Sequence, residues 1–366
     1  MRALIQCCVL SLPFFLFACS DQSSTPYAWN LPPHMPLPPV PADNPMSVEK
    51  VALGKALFFD KRLSFNQSQA CESCHHPQQA FSENRPLSVG ASGQSLKRNA
   101  LSLTNVAYNS TFTWAHPQLT QLERQILIPL FNEDPVELGL AGNEQLALGR
   151  LRGDDDYPLL FEQAFPNEFM PLNMDNVVKA LASYVRSLIS FNSRFDRYAY
   201  YGEDDALTEA ELRGLAVFMS ERTECRHCHG GFNFSLSTVH EGDEGTVRRF
   251  HNTGLYAQQK ALNFDRGVFE LTDNSADIGL FRPPTLRNIE LTAPYMHDGS
   301  IETLEEVIEF YAQGGREITD GPTQGDGRKH PNKSVFMHGF FLDEQEKADL
   351  IAFLKTLTDF TFTAQH

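Results

Sequence analysis

The sequence predicts a mostly α-helical fold in two similar units joined by long loops. Three observations predict it. Apolar residues recur at helical spacing behind capping signals in several separate segments, and strand-like alternation is scarce. One short pattern also occurs twice, at Gly54-Lys55-Ala56-Leu57-Phe58 and at Gly214-Leu215-Ala216-Val217-Phe218. With 366 residues the chain exceeds the usual span of a single core, so two domains are the default expectation. A formal net charge of -16 argues against a nucleic-acid partner, which needs a basic face.

In chain order, residues 1–19 read as an export signal: Arg2 supplies the positive charge and Ala3 to Phe17 the apolar region. Leu16-Phe17-Ala18-Cys19 resembles a bacterial lipoprotein box that would lipidate Cys19 and anchor the chain to a membrane. Ordinary cleavage after Ala18-Cys19-Ser20 is the competing reading, and both lead to the periplasm. No later stretch is long and apolar enough to cross a membrane. Residues 20–46, carrying Pro32, Pro33, Pro36, Pro38, Pro39, Pro41 and Pro45, read as an extended tether. The first domain is expected over 47–200. It should contain a helix whose apolar stripe is Val177, Val178, Leu181, Val185, Leu188 and Ile189. The boundary falls in the polar, tyrosine-rich stretch from Arg197 to Ala206, and the second domain covers 207–366. There Thr208 with Glu211, Thr303 with Glu306, and Asp343 with Glu346 form capping boxes. The helix behind Asp343 is expected to pack back on the first domain.

Of seven cysteines, Cys7, Cys8 and Cys19 lie in the export segment. The other four form two C-x-x-C pairs, each followed at once by histidine: Cys71, Cys74, His75 and Cys225, Cys228, His229. Two thiols three positions apart on a helical turn reach the two vinyl groups of one haem, and the next residue sets an imidazole under the iron. A zinc pair or redox dithiol is the alternative for either motif alone. Two copies in an exported chain favour two covalently bound haem c groups, with His75 and His229 as proximal ligands. The two units are therefore expected to be cytochrome c-like. His76 receives no role. What fills the other axial face decides the chemistry: a sixth protein ligand makes an electron-transfer haem, and an open face admits peroxide.

From about Tyr27 onward the chain resembles the bacterial di-haem cytochrome c peroxidase and MauG superfamily. The resemblance rests on both haem motifs, Arg98-Asn99-Ala100, Pro129 with Pro135-Val136-Glu137, and Leu286-Arg287-Asn288 running into Thr292-Ala293-Pro294-Tyr295. Finer landmarks resemble the MbnH branch of MauG-like enzymes: Tyr27-Ala28-Trp29-Asn30-Leu31-Pro32-Pro33, Glu137-Leu138-Gly139-Leu140-Ala141-Gly142, His251-Asn252-Thr253-Gly254-Leu255-Tyr256 and Gly325-Asp326-Gly327-Arg328. In the classical peroxidases a histidine downstream of the first motif caps the first haem. The corresponding stretch here, Arg85 to Ser95, contains none, so the resemblance implies an open first haem.

The resemblance also assigns Gln125, Pro129 and Glu137 to the peroxide pocket, Glu137 after a two-residue insertion. A carboxylate there can take the proton from the iron-bound oxygen of peroxide and return it to the leaving oxygen. Glutamate is otherwise a surface residue, and only the motif lifts Glu137 above that. Leu304, Val307, Ile308 and Tyr311 share one helical face, ended by Gly314, so Tyr311 points inward. Buried tyrosine is ordinarily core. The resemblance makes Tyr311 the second haem's axial ligand, as in MauG, with Met296 as fallback. A tyrosinate is a hard anionic donor that stabilises high-valent iron. By the same resemblance Trp114 lies between the haems, and Asn99 with the carbonyls of Thr292 and Pro294 holds calcium. Without it, Trp114 reads as core and Asn99 as a turn residue. One departure stands out: MauG passes charge through a surface tryptophan before its second motif, and the residue here is Thr223.

The resemblance implies an enzyme that uses hydrogen peroxide to form a high-valent di-haem state. That state would oxidise an aromatic residue, tryptophan to kynurenine, of a small exported metal-binding, MbnP-like partner. The alternatives are a peroxidase drawing electrons from a small cytochrome or cupredoxin, and a plain electron carrier. The missing distal histidine and Tyr311 disfavour the first alternative; an open haem beside Glu137 disfavours the second.

Overall fold

A computed structural model describes residues 24–243, 249–257 and 264–365. The export signal and Cys19 lie outside these residues. The described chain is helical, with one short antiparallel ribbon. In order come α1 (Val48–Phe58), α2 (Leu122–Phe131), α3 (Glu144–Arg152), α4 (Tyr157–Ala164), α5 (Met174–Arg186), α6 (Arg194–Tyr200) and α7 (Glu209–Phe218). They are followed by α8 (Arg226–His229), α9 (Phe269–Thr272), α10 (Leu304–Ala312), α11 (Glu344–Lys355) and α12 (Phe360–Gln365). The ribbon pairs β1 (Glu317–Ile318) with β2 (Gly325–Asp326), Glu317 facing Asp326. Among the described residues no helix is long and apolar enough to cross a membrane.

Local chemistry sets the helix starts. Thr208, Thr303 and Asp343 each accept a hydrogen bond from the backbone N–H three residues on, and Glu211, Glu306 and Glu346 reach back, as the capping boxes require. α5 buries Val177, Val178, Leu181 and Val185. Its expected stripe runs further than the helix does: α5 stops at Arg186, so Leu188 and Ile189 belong to the segment beyond it.

Two hydrophobic clusters result. One gathers α1 to α5 around Leu53, Phe58, Phe81, Phe161, Leu181 and Tyr184; the other gathers α7, α10 and α11 around Phe218, Phe234, Ile308 and Phe353. Each is built on a close helix crossing. A Cβ placed on Gly54 of α1 would lie 1.9 Å from the carbonyl oxygen of Ala180 in α5. A Cβ on Gly214 of α7 would lie 1.9 Å from that of Asp349 in α11. Only glycine permits either approach. The repeated Gly-x-x-x-Phe pattern is therefore a repeated packing device.

Three particulars differ from the sequence reading. Residues 24–46 are extended but docked, because an extended chain presents carbonyls that neighbours can use. Pro36 O accepts from the Tyr108 hydroxyl (2.7 Å), Leu37 O accepts from Glu241 N (2.8 Å), and Asn44 is fully buried against Glu123 and Lys179. The stretch from Arg197 to Ala206 is not all linker, since α6 occupies its start behind the Ser193–Asp196 capping box. α11 packs on α7, and it is the additional α12 that returns to the first cluster, where Phe362 meets Phe81 with ring centroids 5.6 Å apart.

Candidate functional site

Each C-x-x-C-H motif opens onto a cavity. Cys71, Cys74 and His75 line the first, together with Phe58, Gln69, Leu96, Leu103, Gln125, Pro129, Glu137 and Leu181. Cys225, Cys228 and His229 line the second, a larger and mostly apolar space. The four cysteines form no disulfides.

The two histidines are held by the same device. His75 Nδ1 meets the Phe81 carbonyl at 2.8 Å, and His229 Nδ1 meets those of Phe234 (3.3 Å) and Pro284 (3.1 Å). A ring that donates from Nδ1 presents Nε2 as a lone-pair donor, the form an iron ligand needs. Burial keeps both imidazoles neutral, pushing His229 down to about 4. Phe81 and Phe234 both sit in the left-handed region, at φ 59° and 48°, which turns their carbonyls toward the histidines. Their rings pack on the phenylalanines that close the repeated pattern, Phe81 on Phe58 (5.8 Å) and Phe234 on Phe218 (6.0 Å).

In the first cavity His75 is the sole lining histidine among the described residues. Gln125 lies on α2, one turn before Pro129, and its Oε1 is buried without a partner. Glu137 is set by backbone bonds on both sides: Ala91 N donates to its carbonyl (2.6 Å), and Leu138 N donates to Pro129 O (2.9 Å). Gly90 makes room, since a Cβ there would lie 2.0 Å from Val136 O. Burial raises the Glu137 carboxyl to about 7. A carboxyl in that range can both accept and return a proton near neutral pH.

The second cavity brings together Asn99, Trp114, Thr223, Thr292, Pro294, Met296 and Tyr311. Tyr311 projects from α10, and among the described residues nothing hydrogen-bonds its hydroxyl. Burial, then the Cys228 and Cys225 thiols, raise its pKa. A core tyrosine normally satisfies its hydroxyl; this one has no such partner among the described residues. Met296 shares the same wall. Asn99 donates its side-chain N–H groups to Arg85 O (3.1 Å) and Pro86 O (3.2 Å), which leaves Oδ1 as an acceptor. The Trp114 indole N–H donates to Asn99 O (2.8 Å). Thr223 is buried, its hydroxyl bonded to Val217 O (2.7 Å), so no relay reaches the surface at that position. The segment 96–103 runs between the cavities: Leu96 and Leu103 face the first, and Asn99 to Ser102 face the second.

Sequence reasoning missed Arg282. It is buried, lines the second cavity, and gives Nε to Thr113 O (3.1 Å) while Nη1 has no partner. Burial lowers its pKa to about 10. An unpaired buried guanidinium calls for an anion, and the propionate of a haem in this cavity would provide one. His251 Nε2 is likewise buried and unpartnered on this wall. The thiols, the free Nε2 atoms, the apolar walls and this orphaned cation all fit a covalently held haem. Nothing in the local sequence marks Arg282, because its burial depends on contacts across the fold.

The family model for di-haem cytochrome c peroxidase matches residues 48–205. The chain is 34% identical to cytochrome-c peroxidase IdrP1 of Pseudomonas sp. (strain SCT), over 95% of this chain and 92% of that protein. It is also 34% identical to the methylamine utilization protein MauG of Methylorubrum extorquens, over 87% and 81%. The fold matches the crystal structure of a MauG-like protein associated with microbial copper homeostasis, with a TM-score of 0.88 and 45% identity over 92% of this chain and 97% of that one.

Proposed function

Because the chain belongs to the di-haem cytochrome c peroxidase and MauG family of oxidoreductases, we propose that it is a MauG-like enzyme that spends hydrogen peroxide on oxidising an aromatic residue of a partner protein. The substrate residue in this reading is tryptophan, converted to kynurenine. The partner is a small exported metal-binding protein. The enzyme acts in the periplasm, anchored through lipidated Cys19. The observation that carries the reading is the unpartnered Tyr311 hydroxyl on the wall of the second cavity.

Two bound haem c groups would supply the oxidising equivalents drawn from peroxide. This chain's residues do the rest. His75 and His229 would hold the two irons through Nε2, and Tyr311 would offer the second one an anionic oxygen. In the first cavity Glu137 accepts a proton from the incoming peroxide oxygen and returns it to the departing one. Gln125 offers Oε1 to the same oxygens through a donated O–H, and Pro129 shapes the wall. Trp114 stands on the second wall as an aromatic relay. Arg282 would pair a propionate, and Asn99 Oδ1 with the Thr292 and Pro294 carbonyls would offer hard oxygens to a calcium ion.

Met296 on the same wall favours a second reading, a peroxidase fed by a small cytochrome or cupredoxin, should the thioether rather than the phenolate hold the iron. The test uses the haem-loaded protein, checked for two haems per chain by pyridine haemochrome. It is mixed with peroxide and a small exported metal-binding protein of the MbnP type, and tryptic peptides are read by mass spectrometry. Kynurenine in wild type and none with Tyr311→Phe is the expected result. Peroxide consumed only with a reduced small cytochrome, and an unmodified partner, would move the assignment to the second reading.

A further inference from the structure

The tryptophan by which MauG relays charge is replaced here by buried Thr223, and the structure offers another way out of the second cavity. His297 lines that cavity and also a small void of mixed lining. Its ring stacks on Phe281 (3.8 Å between centroids) and meets Trp114 edge-on at 6.4 Å. On its far side it meets Tyr256 at 6.3 Å, and Tyr256 in turn meets Phe264 at 5.0 Å. Tyr256 is half-buried and ends the His251-to-Tyr256 motif, and the haem chemistry above gives this tyrosine no role.

We propose that Tyr256 is the exit relay for oxidising equivalents, with Asp298 as its proton acceptor, reached from the second haem through Trp114 and His297. The inference rests on the functional reading above.

Three features single out Tyr256. Its hydroxyl donates to the Asp298 carboxylate. No ion pair among the described residues holds Asp298, whose other oxygen accepts only from Ser300 N (3.1 Å). The carboxylate is therefore available as a base. The Arg316 guanidinium lies 4.7 Å from the Tyr256 ring centroid, where a positive charge on the ring would be repelled. Oxidation must then proceed with loss of the phenolic proton. Tyr157 also bonds a carboxylate, Asp60, but Arg62 already pairs that group and Tyr157 lines neither cavity.

The balance is simple. One electron passes from Tyr256 by way of His297 and Trp114 to the peroxide-oxidised second haem, and the phenolic proton passes to Asp298. The neutral phenoxyl then takes one electron from the partner's aromatic residue, and Asp298 returns the proton. Electron tunnelling falls steeply with distance, so rings in near contact make this a faster path than the same span through aliphatic packing.

The test uses the full-length holoprotein grown with ring-deuterated tyrosine, mixed with stoichiometric hydrogen peroxide and freeze-quenched for electron paramagnetic resonance. The expected result is a radical signal narrowed by the deuterium. It should be lost in Tyr256→Phe and kept in Tyr201→Phe, a change at an exposed ring. Return of the peroxide-oxidised optical spectrum to the resting one should slow at least about tenfold in Tyr256→Phe. Asp298→Asn should slow the same return while leaving the initial reaction with peroxide unchanged, which keeps the idea testable should Tyr256→Phe fold poorly. A wild-type signal and return rate in either variant would overturn the relay and leave the functional reading standing. No spectral change on adding peroxide to wild type would bring down both.

Discussion

Glu137 has its unusual proton affinity because the fold removes water from a carboxylate without supplying a cation. Burial is the sole cause of its rise to about 7. As general base it must be ionised, so the rate of the peroxide reaction should rise through about pH 7, level off above it, and fall about tenfold per unit below it. Stopped-flow mixing across that range checks the profile. Glu137→Gln should slow the reaction at least about a hundredfold and remove the inflection, with both haems retained. Arg282 makes a matching case in the second cavity. Arg282→Leu removes a buried positive charge, and a positive charge disfavours the oxidised iron. Spectroelectrochemistry should therefore find the second haem's potential lowered and the first one's unchanged. The four thiols and two imidazoles of the cavities were legible in the sequence because their chemistry is written within five consecutive residues. Glu137 was legible only through resemblance, since nothing local separates a buried glutamate from the surface kind. Arg282 was not legible, because its orphaned nitrogen is a property of the assembled walls.

Elements carry the next layer. α1 against α5 and α7 against α11 are one construction used twice, and the glycine at each crossing has no spare volume. Gly54→Ala or Gly214→Ala should each cost about 3 kcal/mol, at the upper end for overpacking, since backbone oxygen rather than a flexible side chain must yield. Chemical denaturation measures this. The optical change in the ferric protein should be confined to the first haem for Gly54 and to the second for Gly214. Thr303→Ala, which removes the cap of the helix that carries Tyr311, should cost only about 1 kcal/mol. The sequence displayed the repeat and the capping boxes, both short-range patterns. It did not display what the glycines face, because Ala180 and Asp349 are more than a hundred positions away. Nor did it display that the proline-rich stretch is docked: composition reports an extended chain, while docking depends on which neighbours use its carbonyls.

At the scale of the whole molecule, buried polar groups tie the two clusters together. Arg287 and Asp196 are both fully buried, 2.9 Å apart, and the guanidinium also donates to Phe232 O (2.6 Å) and lies 4.3 Å from the Phe191 ring. Asn288 donates to Thr104 and Ser190 (3.1 Å each) and accepts from Asp359 N (2.7 Å). Asn105 joins Ser190 and Asn233. Such a web holds only while every member is satisfied. Arg287→Met would strand Asp196 and should cost about 4 kcal/mol, and calorimetry should then resolve one melting transition into two. The pairing was visible in the sequence only as a motif, Leu286-Arg287-Asn288, with no sign of its partners.

The burial of the cysteines bears on how the molecule is made. In the fold without haem, burial raises the Cys71 thiol to about 12 and those of Cys74 and Cys228 to about 11, so folding ahead of the cofactor would hold them protonated. Each motif is sealed from behind by a phenylalanine pair, Phe58 on Phe81 and Phe218 on Phe234. A thiol held protonated is the less reactive form, which favours joining the haem before the two helix crossings close. Thioether formation is therefore expected early in the making of the molecule: the chain would be joined to its cofactors while still open, and the helix crossings would close afterwards around groups already in place.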